Sequence, residues 1–464
     1  MKTASPTDTI DVQTLRVGMF VHLDGGWMSH PFPLSNFRIT TPAQLATIRS
    51  LGLRRVRWSP QQSDLDVDAD LDAGNGVTVS SLPAAAGSLP VAAANDDTGA
   101  GADLDAEDTV PHVPLAEGAV AFNPAVYAAS RARAESQKQL ARQREAKQCC
   151  ERQYAEAARA CRQTFDLVVA RPEEARARAE TLSRTLLDKM IGAEELCIRV
   201  LGEAAGDKAS LHALNVAIVS LLMGRCFGFD AEEMMDVGVG AMLHDVGKIE
   251  LSLRLRHREE SFSANELRAY QEHVAMGVVQ ARRMGLTAGA SAVVAQHHEH
   301  ADGSGFPGAL NSDRMTMAAR IVALVDRYDN LCNPHLPAGA MTPHESLSLL
   351  FAQGRSKYDT SILGAFIKMM GVYPPGSMVQ LTDDRYAFVV ATNSSRPLKP
   401  NVLVHDASVP RAEALVLDLE SVAGLGIRRS VRVQQVPTTV ADYLAPCTRV
   451  SYFFEPAAAV EDEE

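Results

Sequence analysis

The sequence predicts a multidomain, mainly α chain, and three observations carry that expectation. At 464 residues it is long for a single core, and with roughly 100 to 200 residues per domain it predicts two to four units. Aromatic residues make up 5%, beside 46% hydrophobic and 22% charged. That balance is ordinary for a soluble globular chain, and its many alanines favour helix. Finally, Leu182, Leu186, Leu187, Met190 and Ile191 recur at helical spacing after Pro172, a residue suited to the first turn of a helix.

Taken in order, residues 1–63 alternate short apolar runs, Met19-Phe20-Val21 and Arg55-Val56-Arg57-Trp58, with Gly and Pro turns around a helix-like stretch at 43–51. This pattern predicts a small α+β module. Residues 64–123 are rich in Ala, Gly, Asp, Ser and Pro. With so few large apolar side chains they cannot offset the entropy of ordering, which predicts a flexible acidic linker. A helical connector is expected at 124–194. Its first helix, about 127–162, carries Leu140, Tyr154 and Phe165 too sparsely for a heptad seam and reads as exposed. Its second, after Pro172, should pack on a central helical domain at 195–370. Beyond Gly371, short apolar runs at 378–381, 387–390, 401–404 and 414–417 read as strands. They predict a small β-rich unit at 371–464 that ends in an acidic tail.

A formal charge of −12 argues against a nucleic-acid polymer as partner, since phosphate neutralisation needs a basic surface. The first residues contain no apolar core of signal-peptide length. The longest apolar run, 216–223, falls far short of the roughly 20 residues that span a bilayer, so no transmembrane segment is expected. Seven cysteines without a CxxC spacing fit free thiols in a reducing cytoplasm, and the vicinal Cys149-Cys150 reads as incidental.

The chemistry concentrates in the middle. His244-Asp245-Val246-Gly247-Lys248 is followed about fifty residues later by His297-His298-Glu299-His300-Ala301-Asp302-Gly303-Ser304-Gly305-Phe306-Pro307, with His212, His273 and Asp326 around them. A lone histidine at a helix start is usually a cap or a packed core residue. Together, however, these imidazoles and carboxylates make a set able to hold two metal ions. His244 and Asp245 follow the apolar stretch 237–243 and precede Gly247, which places both near a helix end, facing one cavity. A carboxylate at Asp245 can bridge two cations at the roughly 3.5 to 4 Å that phosphodiester chemistry uses. His212 is expected to open a helix over 212–223, and Asp326 to end the apolar run 318–325. Asp329 shares the face of Asp326 and is read as a structural hydrogen-bonding partner. Gly303 and Gly305 let backbone approach a ligand, Pro307 stiffens the loop, and Phe306 offers an aromatic face to a base or ribose.

In this order the residues resemble the HD-GYP family of cyclic di-GMP phosphodiesterases over roughly 195–375, with Phe306 where the family usually has tyrosine. The resemblance implies an all-helical HD-type metallohydrolase core, flanked here by the α+β module and the β-rich unit. It implies that His212, His244, Asp245 and Asp326 hold a first divalent ion. His273, His297 and His298 would hold a second, with Asp245 bridging, and iron or manganese suits such donors. Lys248 and Asp245 take the catalytic roles. Lys248 also touches substrate phosphate, alongside substrate contacts from Asp302, Gly303, Gly305, Phe306 and Pro307.

Three departures bear on substrate binding. His335 and Ala338 stand where many members carry an arginine and a lysine on phosphate. Arg254, Arg256 and Arg258 either replace those contacts or are solvated. Lys208 stands where members with three metals have glutamate, which implies two ions. The implied reaction is hydrolysis of cyclic di-GMP to pGpG and, after a second cut, GMP. The competing reading is a catalytically weak nucleotide sensor or interaction module. Another HD-type hydrolase, acting on a nucleotide triphosphate, is opposed by the 302–307 loop. A signalling protein and a second copy of the chain are candidate partners.

Overall fold

The computed structural model describes residues 8–23, 36–63, 124–191, 195–202, 206–257, 259, 261–393 and 396–457. The expected linker at 64–123, Arg258 and the acidic tail lie outside the described residues.

The N-terminal module comprises β1 (Asp8–Asp11), β2 (Phe20–His22), β3 (Asn36–Arg38), α1 (Pro42–Ser50) and β4 (Arg55–Ser59). Its strands form an antiparallel sheet in the order β1-β4-β2-β3. The sheet is closed by a small core of Val12, Leu15, Val21, Ile39, Ile48 and Val56. Helix α1 starts sharply because Thr41 and Gln44 form a capping box ahead of Pro42, a device worth about 1 kcal/mol.

The connector is two helices, α2 (Pro124–Leu167) and α3 (Pro172–Ile191). Residues 131–139 of α2 are exposed, whereas Tyr154, Ala157, Ala158 and Cys161 on its second half are buried. The spacing of Ala175, Ala179, Leu182, Leu186 and Met190 gives α3 one continuous buried stripe. It lies against α2 and against the central helices.

The strand β5 (Leu196–Leu201) departs from the all-helical core expected at 195–370. It is buried at every residue and sits between β7 (Tyr386–Asn393) and β11 (Ser451–Pro456), which lie about 190 and about 250 residues further on. A short apolar run such as Leu-Cys-Ile-Arg-Val-Leu looks the same to periodicity whether it is strand or buried helix.

Seven helices follow: α4 (Lys208–Cys226), α5 (Ala231–Leu243), α6 (Ala264–Met284), α7 (Ala288–Gln296), α8 (Met317–Cys332), α9 (Pro343–Gln353) and α10 (Thr360–Met370). Among the described residues α4 alone is long and apolar enough to pass for a membrane span, yet 78% of it is buried inside the protein. It is the central core helix, packed on α2, α5 and α8. Start signals are legible throughout: Asp207 caps α4, Asp230 and Glu233 box α5, Ser263 and Glu266 box α6, and Thr342 and Glu345 box α9.

The C-terminal strands are β6 (Met378–Leu381), β7, β8 (Asn401–Val404), β9 (Val416–Asp418), β10 (Ile427–Val431) and β11, with α11 (Thr438–Leu444) before β11. The runs at 378–381 and 401–404 coincide with β6 and β8, and the run at 387–390 lies within β7. The run at 414–417 does not coincide: Ala414 and Leu415 precede the strand. This region has a core of its own, of Val379, Leu381, Ala387, Val389, Val402, Leu419 and Leu425, and is also joined to the helices. β11 pairs antiparallel with β5, and Tyr452, Phe453 and Phe454 enter the same core as Tyr154 and α4. A buried Arg199 to Glu455 ion pair at 2.5 Å fastens the two strands.

Candidate metal centre

The approach of the His244-Asp245 turn to α6 depends on glycine. His244 ends α5 as its C-cap, and Asp245 turns the chain at φ −95°, ψ 11° into a 3-10 turn, Val246–Glu250. A Cβ on Gly247 would sit 1.9 Å from the His273 carbonyl oxygen and 2.4 Å from the Gly277 nitrogen. Only glycine allows the contact that brings Asp245 to His273. His297 is the C-cap of α7, His298 follows it, and Asp326 projects from α8. His212 lies in the second turn of α4 instead of opening it, because Asp207 starts the helix at Lys208.

Four imidazoles are anchored the same way. His244 Nδ1 bonds the Ala241 carbonyl at 2.7 Å, His273 Nδ1 that of Tyr270 at 2.6 Å, and His297 Nδ1 that of Val294 at 2.9 Å. His212 Nδ1 meets Asp329 Oδ2 at 2.6 Å. A donor N–H at Nδ1 leaves a lone pair on each Nε2, and these nitrogens converge. His212 Nε2 and His244 Nε2 are 3.3 Å apart.

Asp245 divides its carboxylate between two imidazole groups. Oδ2 lies 3.4 Å from His244 Nε2 and 3.8 Å from His212 Nε2, while Oδ1 lies 3.5 Å from His273 Nε2 and 3.6 Å from His297 Nε2. Asp326 also straddles both: Oδ1 is 3.1 Å from His212 Nε2 and 3.5 Å from His244 Nε2, and Oδ2 is 3.9 Å from His298 Nδ1. Its expected place was beside the first group only. The ligand atoms of Asp245, His273, His297 and His298 lie within 4.8 Å of one another, as do those of His212, His244 and Asp245.

The donors fit divalent ions by their own hydrogen-bond deficit. Buried Asp245 Oδ1 and the Nε2 atoms of His273, His297 and His298 have no hydrogen-bond partner among the described residues. Leaving such atoms unpaired is costly, and a cation among these four residues would satisfy them. Burial lowers His273 to about 4 and His298 well below the usual range, so both are neutral, the form able to ligate a metal. In the other group burial is outweighed by carboxylates: Asp245 and Asp326 raise His244 to about 10, and Asp326 and Asp329 raise His212. Burial would raise Asp245 and Asp326, but Lys248 and His244 hold the first, and His212 and His244 the second, well below the carboxylate range. Negative charge concentrated at this depth calls for positive charge.

Lys248 reaches back one turn, its Nζ 2.5 Å from Asp245 Oδ2. The 302–307 loop closes the other side. Phe306 lies on His298, ring centres 4.7 Å apart, behind a cis Phe306-Pro307 peptide. A Cβ on Gly305 would meet Glu299 Cα at 2.4 Å and the His298 carbonyl at 2.5 Å, so glycine is required there too. Gly303 turns the chain at φ 76°. Asp302 and Pro307 are exposed, and the Asp302 carboxylate accepts from the Ser304 backbone N–H at 3.0 Å, within the loop and not in the metal cluster.

Glu299, Asn215, Asn333 and Tyr154 carry no role in the sequence reading, whereas Asp329 is read as a hydrogen-bonding partner. Glu299, 1% exposed, accepts from the Gly308 N–H at 2.5 Å and the Leu310 N–H at 2.9 Å, clamping the loop. Its one signal is an acid placed directly after two ligand histidines. Asp329 Oδ1 accepts from Asn215 at 2.8 Å and Asn333 at 2.9 Å, and both asparagines also donate to the Val450 carbonyl. Tyr154 of α2 donates to Asn215 Oδ1 at 3.1 Å. The connector and the C-terminal segment thus both reach the support of His212.

The rim settles part of the arginine question. Arg254 pairs with Glu266 at 2.5 Å, and Arg256 donates to the carbonyls of Leu251 and Ile249. Arg258 lies outside the described residues. Ala338 lies exposed in the 3-10 turn Pro337–Gly339, and Lys208 Nζ donates to the His335 carbonyl at 3.2 Å.

Residues 199–362 match the HD domain and residues 7–179 match a domain of unknown function, DUF3391. A cyclic di-GMP phosphodiesterase of Pseudomonas aeruginosa is 25% identical over 409 residues, covering 85% of this chain and 84% of its own length. The cyclic di-GMP phosphodiesterase response regulator RpfG of Xanthomonas campestris is 26% identical over 206 residues, 42% of this chain and 54% of its own. A 3'3'-cGAMP-specific phosphodiesterase of Vibrio cholerae is 30% identical over 131 residues, 28% of this chain and 25% of its own. Among solved structures, an HDG"Y"P protein of Bdellovibrio bacteriovorus covers 78% of this chain and 98% of its own at 12% identity and a TM-score of 0.38. The HD domain lies over the histidine and aspartate cluster, which makes the chain an HD-domain phosphodiesterase similar to cyclic di-GMP phosphodiesterases.

Proposed function

We propose that the chain hydrolyses cyclic di-GMP to pGpG, and pGpG onward to GMP in a slower second cut, using two divalent ions, iron or manganese. The observation that carries this reading is Asp245, whose two oxygens face two separate imidazole groups while Lys248 sits on one of them. His212, His244, Asp245 and Asp326 would hold one ion, and Asp245, His273, His297 and His298 the other. Bound there, the ions supply Lewis-acid stabilisation of phosphoryl oxygens and a nucleophile at neutral pH.

The protein's own groups do the rest. The Lys248 ammonium, held beside Asp245, is placed to receive a non-bridging phosphoryl oxygen, and burial of the site strengthens that charge–charge contact. Phe306, tilted against His298 at 33°, presents its other face to a base or ribose. All seven cysteines are free thiols, which supports a reducing cytoplasm as the place of action.

A sensor without catalysis would have no use for so complete a donor set. The test is anaerobic purification, metal analysis, and turnover assays with cyclic di-GMP and 3'3'-cGAMP. Two ions per chain with turnover of cyclic di-GMP is the expected result. Metal-loaded protein that binds but never cleaves either nucleotide would sink it.

A further inference from the structure

Tyr270 is the one aromatic hydroxyl drawn into the metal centre among the residues described above, and no role has been given to it. It lies on α6 one turn before His273, whose Nδ1 bonds its backbone carbonyl at 2.6 Å. Backbone and side chain therefore serve the same site. Its ring, 6% exposed, lies 4.8 Å from the His273 ring and 6.4 Å from the His298 ring, centre to centre. Lys248 Nζ is 5.4 Å from the ring centre. Phe306 occupies the other side of the same two histidines, 4.7 Å from His298 and 6.4 Å from His273, and brings no hydroxyl.

We propose that Tyr270 is a further substrate-contacting residue, its phenol donating a hydrogen bond beside Lys248 to a non-bridging oxygen of the scissile phosphodiester. Its ring packs against His273 and His298 with the Lys248 ammonium 5.4 Å from its centre, which places Tyr270 beside that imidazole group. A phenol carries an O–H that donates a hydrogen bond at neutral pH. Lys248 already gives one N–H to Asp245, so a second donor with a fixed ring orientation adds direction that a flexible ammonium lacks. Nothing is transferred covalently. The phenol stays neutral and acts through hydrogen bonding alone.

The inference rests on the cyclic dinucleotide reading only for the identity of the ester, so the experiment uses two esters and one anion. Full-length manganese-loaded Tyr270→Phe is compared with the parent chain on cyclic di-GMP, on bis(p-nitrophenyl) phosphate, and for binding of inorganic phosphate by calorimetry. The expected result is about a tenfold loss of kcat/KM on each ester that the parent cleaves and about a tenfold weaker phosphate affinity, the scale of one charge-assisted hydrogen bond. Manganese content and melting temperature stay at parental values. Unchanged phosphate affinity and turnover overturn the proposal, and so do losses that follow a fall in manganese, since they place Tyr270 only in support of His273. A parent that cleaves bis(p-nitrophenyl) phosphate but not cyclic di-GMP overturns the substrate reading instead, while the phosphate and simple-ester results still decide Tyr270.

Discussion

The imidazoles of His257 and His335 stack face to face, ring centres 3.9 Å apart and planes within 9°, joining the segment after Lys248 to the segment after Asp326. Burial first, then the facing His335 and Lys248, lower His257 to about 4, and Lys208 Nζ donates to the His335 carbonyl at 3.2 Å. We expect His335→Ala to raise KM for cyclic di-GMP by about tenfold while kcat changes less, because the loss falls on binding. His335→Arg should lower KM, since a guanidinium grips phosphate in two places. Arg254→Ala should leave KM unchanged, its charge being engaged by Glu266. Steady-state kinetics on the three variants check this, and an unmoved KM in both His335 variants would put the phosphate elsewhere.

Asp245→Ala should abolish turnover and empty both ion positions, because its two oxygens serve both imidazole groups. Metal analysis beside circular dichroism is the measurement. A folded variant that keeps one ion would confine Asp245 to a single position.

Asp329→Ala should weaken metal binding by about 10- to 100-fold without removing a ligand atom, the usual effect of deleting the partner of a ligand imidazole. It frees His212 Nδ1 and also strips Asn215 and Asn333 of an acceptor. Competition with a chelator measures the affinity, and parental affinity would show that α4 alone orients His212.

Glu299→Ala leaves the N–H groups of Gly308 and Leu310 without their buried acceptor. At about 1 to 3 kcal/mol for an unsatisfied buried group, it should lower the urea midpoint and raise KM as the Phe306 loop loosens. A loss of stability with an unchanged KM would uncouple the loop from substrate.

Asp359 supplies a pH test away from the metals. Its carboxylate, 20% exposed, accepts from Arg320 Nη1 at 2.6 Å and caps α10 through Ser361 and Ile362. Burial alone would raise it, but those hydrogen bonds and Arg320 hold it below the carboxylate range. A folded-state pKa below the unfolded one means stability that is present above about pH 4 and is lost as pH falls through the folded value. Asp359→Asn should therefore be less stable than the parent at pH 7, with the gap closing toward pH 3. Urea midpoints at both pH values measure it, and a constant gap would remove the carboxylate's charge from the account.

Much of this protein is written locally. The helix starts at Asp207, Asp230, Ser263 and Thr342, the buried stripe of α3 and the strands β6 and β8 can be read from residue type and spacing, because caps and periodicity are properties of near neighbours, while His212, His244, Asp245, His273, His297, His298 and Asp326 stand out by their order and its resemblance to a known family. What sequence spacing leaves open is which distant segments meet. Pairing of β5 with β11 joins residues some 250 apart, Asp326 turns its second oxygen to His298, and Val450 closes the support of His212 through Asn215 and Asn333. The stacking of His257 on His335 and the placing of Tyr270 beside Lys248 have the same origin. Each depends on long-range packing that satisfies buried polar groups, and no local pattern records the partner that a buried group finds only once the core has closed.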